Sequence, residues 1–418
     1  MRSLRSFRFL VSSTALSNLA DGVLKVGAPL LAVSLTRSPS EVALVGVAAT
    51  LPWLLFSLLA GALADRMDRR TIMVAANAGR TLVLAATGIL AATGTLRLPV
   101  MLVALLLAGV CEVFADLSAQ SVLPMTVGHG ELVKANGRVQ TAQMLGNEFL
   151  GSPVAGILVT VAPAAIFGTS GLLYGAAGAL LLGMRGVFRP AQDRPHTAPV
   201  RSVRADIAEA VRLLWGHRFL RTLAISAGLM NFAGAAYFAV FVLWVVGPGS
   251  RLGLAPSAYG PVITVLAVGA VAGSLLSEPV TRRVGERTML VGAWLLSGLL
   301  LVVPVAVPSV WALYPTAFLL GLVGAAGNVL VVATRQRLIA GDLLGRVNAA
   351  YRLFGTAGQP VGAALAGVVG EQAGLPAVFY GATAVSIVAA VWIMHVPRDH
   401  ISVPLTRNAV NRGRSRSR

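Results

Sequence analysis

Six ionisable residues, Asp21, Lys25, Arg80, Glu112, Asp116 and Glu148, interrupt long apolar runs in the first half of this chain. At roughly 2.5–3.5 kcal/mol for each charge placed in hydrocarbon, six unpaired groups would cost about 15–20 kcal/mol, more than the roughly 5–15 kcal/mol net stability of a typical fold. They must therefore be paired, protonated or in contact with water. Asp21 and Lys25 stand four residues apart on one helical face, where each partly neutralises the other. Arg80 needs an acid from another segment. Glu112 and Glu148 fall near the middle of their runs, and Glu112 shares a face with Asp116, so that their like charges interact. The chemistry such a set supports is reversible binding of a proton or cation by Asp21, Glu112 and Glu148, with Lys25 and Arg80 as counter-charges. Static packing pairs are the other reading.

Uncharged polar groups extend the set. Gln140, Gln143 and Asn147, at i, i+3 and i+7, form a stripe facing either a cavity or a neighbouring helix. Asn231, Tyr237, Phe238, Phe241 and Trp244 make a soft aromatic surface suited to large amphiphiles, or else to lipid and packing. Asn328 and Gln359 belong to the same class of candidate cavity residues. Enzyme chemistry finds no support. Neither lysine, Lys25 nor Lys134, follows a glycine in a phosphate-cradling loop. The histidines His129, His196, His217, His395 and His400 show no paired metal spacing, and no Gly-x-Ser-x-Gly elbow occurs. Neither metal nor cofactor is expected, and the single Cys111 excludes an intrachain disulfide.

The elements that must position these residues follow from composition. Apolar residues make up 56% of the 418 and charged residues 12%, with apolar runs near 20 residues recurring throughout. That predicts an all-α polytopic membrane protein. A span needs roughly 20 residues to cross about 30 Å, so twelve would consume roughly 240. They are expected over 9–35, 42–63, 72–95, 98–122, 139–161, 164–186, 220–246, 258–280, 288–307, 309–333, 348–370 and 375–396. Internal Pro and Gly do not break this reading, since neighbouring helices re-satisfy freed backbone groups in a bilayer.

Basic residues concentrate on alternate loops, leaving only Arg37, Arg97 and Arg251 on the opposite side. The asymmetry predicts cytosolic termini and an even number of spans in a cell (plasma) membrane. Facing an anionic leaflet also explains the formal charge of +18 without a nucleic-acid partner, although the tail Arg412–Arg418 (RGRSRSR) resembles a basic arm. The tail 397–418 is expected to be disordered. Arginines before the first apolar run suggest a signal peptide, but Asp21 and Lys25 interrupt that run, so an uncleaved first span is expected.

The chain repeats at half its length. Gly137-Arg138-Val139 recurs as Gly345-Arg346-Val347, Pro153 recurs as Pro360 in a matching glycine-rich setting, and the loop 61–70 (GALADRMDRR) has an echo in 278–287 (EPVTRRVGER). Two six-span halves follow, 1–186 and 220–396, with a substrate site between repeats near the midplane. The linker 187–219 holds Ile207, Ala210, Val211 and Leu214 at amphipathic spacing, which predicts a helix lying along the membrane or the bundle.

On these residues the chain resembles the major facilitator superfamily. GALADRMDRR is similar to its signature loop between the second and third helices. Gly61, Asp65, Arg66, Arg69 and Arg70 match, while Asp68 replaces the usual glycine. The segment 145–156 (LGNEFLGSPVAG) is similar to the exporters' fifth-helix motif through Gly151, Pro153 and Gly156, with Ser152 in place of a glycine. The fourth span lacks the arginine usual in proton-coupled drug exporters.

The resemblance implies alternating-access transport of a small-molecule substrate by a lipid-embedded monomer. It looks most like exporters of siderophores, macrolides and mixed drugs, with protons as the coupling partner. It also implies that Asp65, Arg69 and Asp116 form a charge network that breaks as the halves rock; simple anchoring of the turn is the alternative. An importer or uniporter, or a receptor on the same fold, remains a second reading.

Overall fold

The computed structural model describes residues 2–189, 211–339 and 341–395. Within them are helices α1 (Arg2–Leu35), α2 (Pro39–Ala64), α3 (Arg69–Ala92) and α4 (Leu98–Thr126). The fifth crossing is built of α5 (Leu132–Met144), a π-helical segment (Leu145–Gly151) and α6 (Ser152–Val161). Then follow α7 (Ala165–Leu182), α8 (Arg218–Val245), α9 (Pro256–Val284), α10 (Glu286–Ala306), α11 (Val310–Leu338), α12 (Gly341–Ala373) and α13 (Leu375–Met394). Twelve crossings are long and apolar enough to span a bilayer. Each overlaps its expected run, and the ends move by a few residues because caps rather than hydropathy set them. Ser38 caps α2 and Ser309 caps α11 through their hydroxyls.

Two compact units emerge. One holds residues 1–194 with 239–264, the other 195–238 with 265–418. In the first, α3 packs on α4 and α7, α2 on α4, and α1 on α7 and on the π segment. Glycine makes the last contact possible. A Cβ at Gly22 would overlap the Asn147 carbonyl, one at Gly146 would lie 2.8 Å from the Ala15 carbonyl oxygen, and one at Gly151 would lie 2.7 Å from the Gly22 Cα. The second unit repeats this device, since a Cβ at Gly358 would fall 2.6 Å from the Gly228 carbonyl oxygen. Gly151 and Gly358 are 207 residues apart, the offset that also relates Pro153 to Pro360.

Of the linker's expected helix, Ile207 and Ala210 lie outside the described residues. Residues 211–216 are helical, with Leu214 fully buried in a cluster with Phe219, Leu223, Leu338 and Tyr351. The tail 397–418 also lies outside the described residues.

Candidate functional site

Arg80 on α3 is the centre of the first unit. It is 1% exposed, and its Nη2 stands 3.5 Å from Asp21 Oδ1 on α1 and 3.2 Å from Glu112 Oε2 on α4. Its Nε donates to the Ala108 carbonyl at 3.2 Å, and its guanidinium lies 4.4 Å over the Tyr174 ring. Each acid has a second donor. Tyr174 on α7 donates its hydroxyl to Asp21 Oδ1 at 2.5 Å, and Trp53 on α2 donates its indole N–H to Glu112 Oε1 at 3.3 Å. Five helices thus converge on a single guanidinium shared by two carboxylates. Asp116, one turn beyond Glu112, adds its charge to the field at both Arg80 and Glu112.

Lys25 belongs to a separate pair. Its Nζ lies 2.5 Å from Glu148 Oε1, with side chains 54% and 25% exposed. The expected pairing of Asp21 with Lys25 along α1 is therefore corrected: Asp21 turns to Arg80 and Tyr174, and Lys25 crosses to the fifth helix. The reason is local. The π segment widens the helix by one residue per turn around Glu148, and the glycines Gly22, Gly146 and Gly151 bring α1 close enough for the ammonium to reach across. A half-exposed ammonium deep in a span is costly unless it is paired or meets water.

Two tyrosine and tryptophan partners were not singled out in the sequence. Trp53 gives no signal there. Tyr174 gives a faint one, as the first tyrosine in the chain and the lone phenol of an apolar, glycine-rich helix.

The loop between α2 and α3 is a capping device. Asp65 caps α2, stays 75% exposed, and lies 3.5 Å from Arg69. Asp68, where the motif has glycine, caps α3 by accepting from the N–H groups of Arg70 and Thr71, and also accepts from Phe188 N–H at 3.4 Å. Arg69 donates to the carbonyls of Ala64 and Ser121. Arg70 donates to the carbonyls of Leu181 and Leu182, closing the C-terminal end of α7. Arg66 is exposed, and a Cβ at Gly61 would meet nothing within 4 Å. Through Ser121, Arg69 reaches α4, the helix that also carries Asp116.

The second unit mirrors this arrangement. Arg287 donates to the Met394 carbonyl at the end of α13, and Glu286 pairs with Arg337 of α11.

The other expected positions divide by environment. Gln140 is exposed and Gln143 partly buried, while Asn147 Oδ1 is buried with no partner. Gln359 donates to Asn231 Oδ1 at 3.4 Å, and Asn328 is exposed. The aromatic surface is not open. Tyr237, Phe241 and Trp244 are 2%, 2% and 8% exposed, Tyr237 lying edge-on to Phe379 and Phe241 against Tyr259, so only Phe238 among them keeps an exposed ring. Gly156 of the fifth-helix motif packs on Ser257 at the start of α9, and Gly260 on Ser152 and Pro153.

Twelve apolar crossings, with counter-charged acids buried among those of the first unit, are the makings of a membrane transporter. The chain belongs to the transmembrane secretion effector family of the major facilitator superfamily, which matches residues 3–407. It is 25% identical over 395 residues to the multidrug efflux pump Tap of Mycolicibacterium fortuitum, covering 90% of this chain and 92% of that one. It is 27% identical to the enterobactin exporter EntS of Citrobacter koseri, covering 88% and 86%. Among solved structures, the nucleoside transporter NupG shares the fold at a TM-score of 0.73 and 13% identity, covering 93% of this chain and 99% of that one. A bacterial homologue of the iron transporter ferroportin does so at 0.72 and 17%, covering 96% and 99%.

Proposed function

We propose that this protein exports amphiphilic, cationic small molecules across the cell membrane in exchange for protons, working as a monomer with both termini in the cytosol. The observation that supports it most is the sharing of one buried guanidinium by Asp21 and Glu112, with the charge of Asp116 beside them. Four intramembrane acids stand against two intramembrane bases, and such an excess is relieved by a proton or by a cationic substrate. Two ligands relieving the same excess weaken each other's binding, and that reciprocal coupling is what exchange requires. The names of the relatives, a multidrug efflux pump and an enterobactin exporter, agree with outward transport of bulky amphiphiles. On this reading the half-exposed Lys25–Glu148 pair meets substrate in the first unit, and the Asn231–Gln359 pair offers uncharged hydrogen bonds in the second. Arginines lining one side meet the anionic leaflet and call for no nucleic acid.

The test is a pH-gradient collapse assay in inverted vesicles, screening lipophilic cations, macrolides and siderophores against the wild type and Glu112→Gln. Substrate-evoked proton release is expected in the wild type and lost in the variant. Full release in Glu112→Gln would remove that carboxyl from the coupling path, and substrate flux indifferent to the proton gradient would sink the exchange mechanism.

A further inference from the structure

Arg335 stands out among the arginines near the helix ends of the second unit because its Nε is buried without a hydrogen-bond partner. Arg282 pairs with Glu278, and Arg337 with Glu286. Arg335, on the last turn of α11, has no carboxylate partner among the described residues. Its guanidinium lies 3.9 Å over the Tyr351 ring, its Nη1 donates to Asn348 Oδ1 at 3.1 Å, and the other full charge acting on it is the like charge of Arg352. Two donors there are unused. Arg335 Nε and the Tyr351 hydroxyl are buried without hydrogen-bond partners, and Tyr351 is 7% exposed. Native structures rarely leave such groups orphaned unless a ligand or water completes them. Arg335 is only partly buried and Arg352 exposed, so this cluster reaches the surface on that side.

We propose that Arg335, Tyr351, Asn348 and Arg352 form a socket for the phosphate of an anionic phospholipid headgroup. A phosphate diester brings one negative charge and acceptor oxygens only. It matches the guanidinium fork, takes the phenol hydroxyl as a further donor, and relieves the repulsion between the two arginines. The lipid source follows from the setting. The socket lies at the ends of two membrane spans, and Trp215, 37% exposed and with its ring tilted against Phe354 at 4.6 Å, is the kind of residue that settles at headgroup level. Basic pockets between spans hold anionic headgroups by this chemistry. The bound lipid would fasten the end of α11 to the start of α12 beside the point where the linker enters.

The test titrates the purified full-length protein with phosphatidylglycerol, phosphatidylcholine and inorganic phosphate, reading lipid retention by native mass spectrometry and protection by thermal unfolding. One phosphatidylglycerol should be held at least about tenfold more tightly than phosphatidylcholine. Arg335→Gln and Tyr351→Phe should each weaken it by about 5–10-fold, and Arg337→Gln by less than about twofold. Tyr351→Phe keeps the ring under Arg335 and loses only an unpartnered hydroxyl, so it should fold as the wild type does. Undiminished phosphatidylglycerol binding in that variant would overturn the proposal. So would equal binding of the two lipids, a loss in Arg337→Gln as large as in Arg335→Gln, or equal protection by inorganic phosphate, which would make the ligand a free anion.

Discussion

Arg80 is held by two carboxylates, a backbone carbonyl and an aromatic face, and it is 1% exposed. Removing one partner from such a buried set is more damaging than the set's net contribution, because the remaining charges keep their desolvation cost and lose their compensation. Arg80→Met should lower stability by about 3–5 kcal/mol, measured as detergent-solubilised unfolding. Arg80→Lys should recover only part of the loss, because an ammonium restores the charge but neither the flat face over Tyr174 nor the Nε–H that donates to Ala108. A drop under about 1 kcal/mol in Arg80→Met would mean that water already solvates Asp21 and Glu112. Glu112→Gln behaves differently: the amide oxygen still accepts from Trp53, so the fold should hold while proton-linked transport is lost. At this scale the sequence named the charges that had to pair and assigned Arg80 an acid from another segment, but it set Asp21 against Lys25. Burial cost required that Asp21, Lys25, Arg80, Glu112 and Glu148 find counter-charges, but local spacing suggested Asp21 with Lys25, and only the packing of α1 against α3, α7 and the π segment decides otherwise.

The twelve crossings were legible because hydropathy over some 20 residues is a strong signal. The π segment was not, since one inserted residue per turn leaves no periodicity in a window as short as Leu145–Gly151. Its glycines were visible only as a motif, yet their role is steric. Overfilling a close helix contact costs about 1–3 kcal/mol, so Gly22→Val and Gly358→Val should each lower the unfolding midpoint and the yield of folded protein. Gly22→Val should also part Lys25 from Glu148, because the helices holding them must separate. Gly61→Ala is the control. Nothing lies within 4 Å of that Cβ, the site is helical, and alanine there should be neutral or stabilising by about 0.5–1 kcal/mol despite the position's place in the signature loop. A loss on Gly61→Ala comparable with Gly22→Val would show that the loop glycine is needed in some other conformation than this one.

Across the whole chain, duplication conserved the frame and redistributed the charge. Gly22 and Gly151 have counterparts in Gly228 and Gly358, and the same offsets carry Lys25 onto Asn231. The helices α4 and α11 are both 29 residues long, and counting from their starts places Gly324 opposite Glu112 and Asn328 opposite Asp116. Intramembrane charge is thus concentrated in the first half, while the second has uncharged residues at the corresponding positions. The signature loop and its echo keep a shared task, with Arg70 and Arg287 each closing the end of their half's last helix. The proposed orientation rests on the sequence: the arginine-rich loops are those that the positive-inside rule assigns to the cytosol. In a Cys111→Ser background, Met67→Cys between α2 and α3 and Thr95→Cys between α3 and α4 are exposed positions at opposite ends of one helix. A membrane-impermeant maleimide should label Thr95→Cys in intact cells and spare Met67→Cys, with the pattern reversed in inverted vesicles. The opposite result would turn the whole molecule over, and with it the direction of the proton exchange proposed for the Asp21, Glu112 and Glu148 carboxyls.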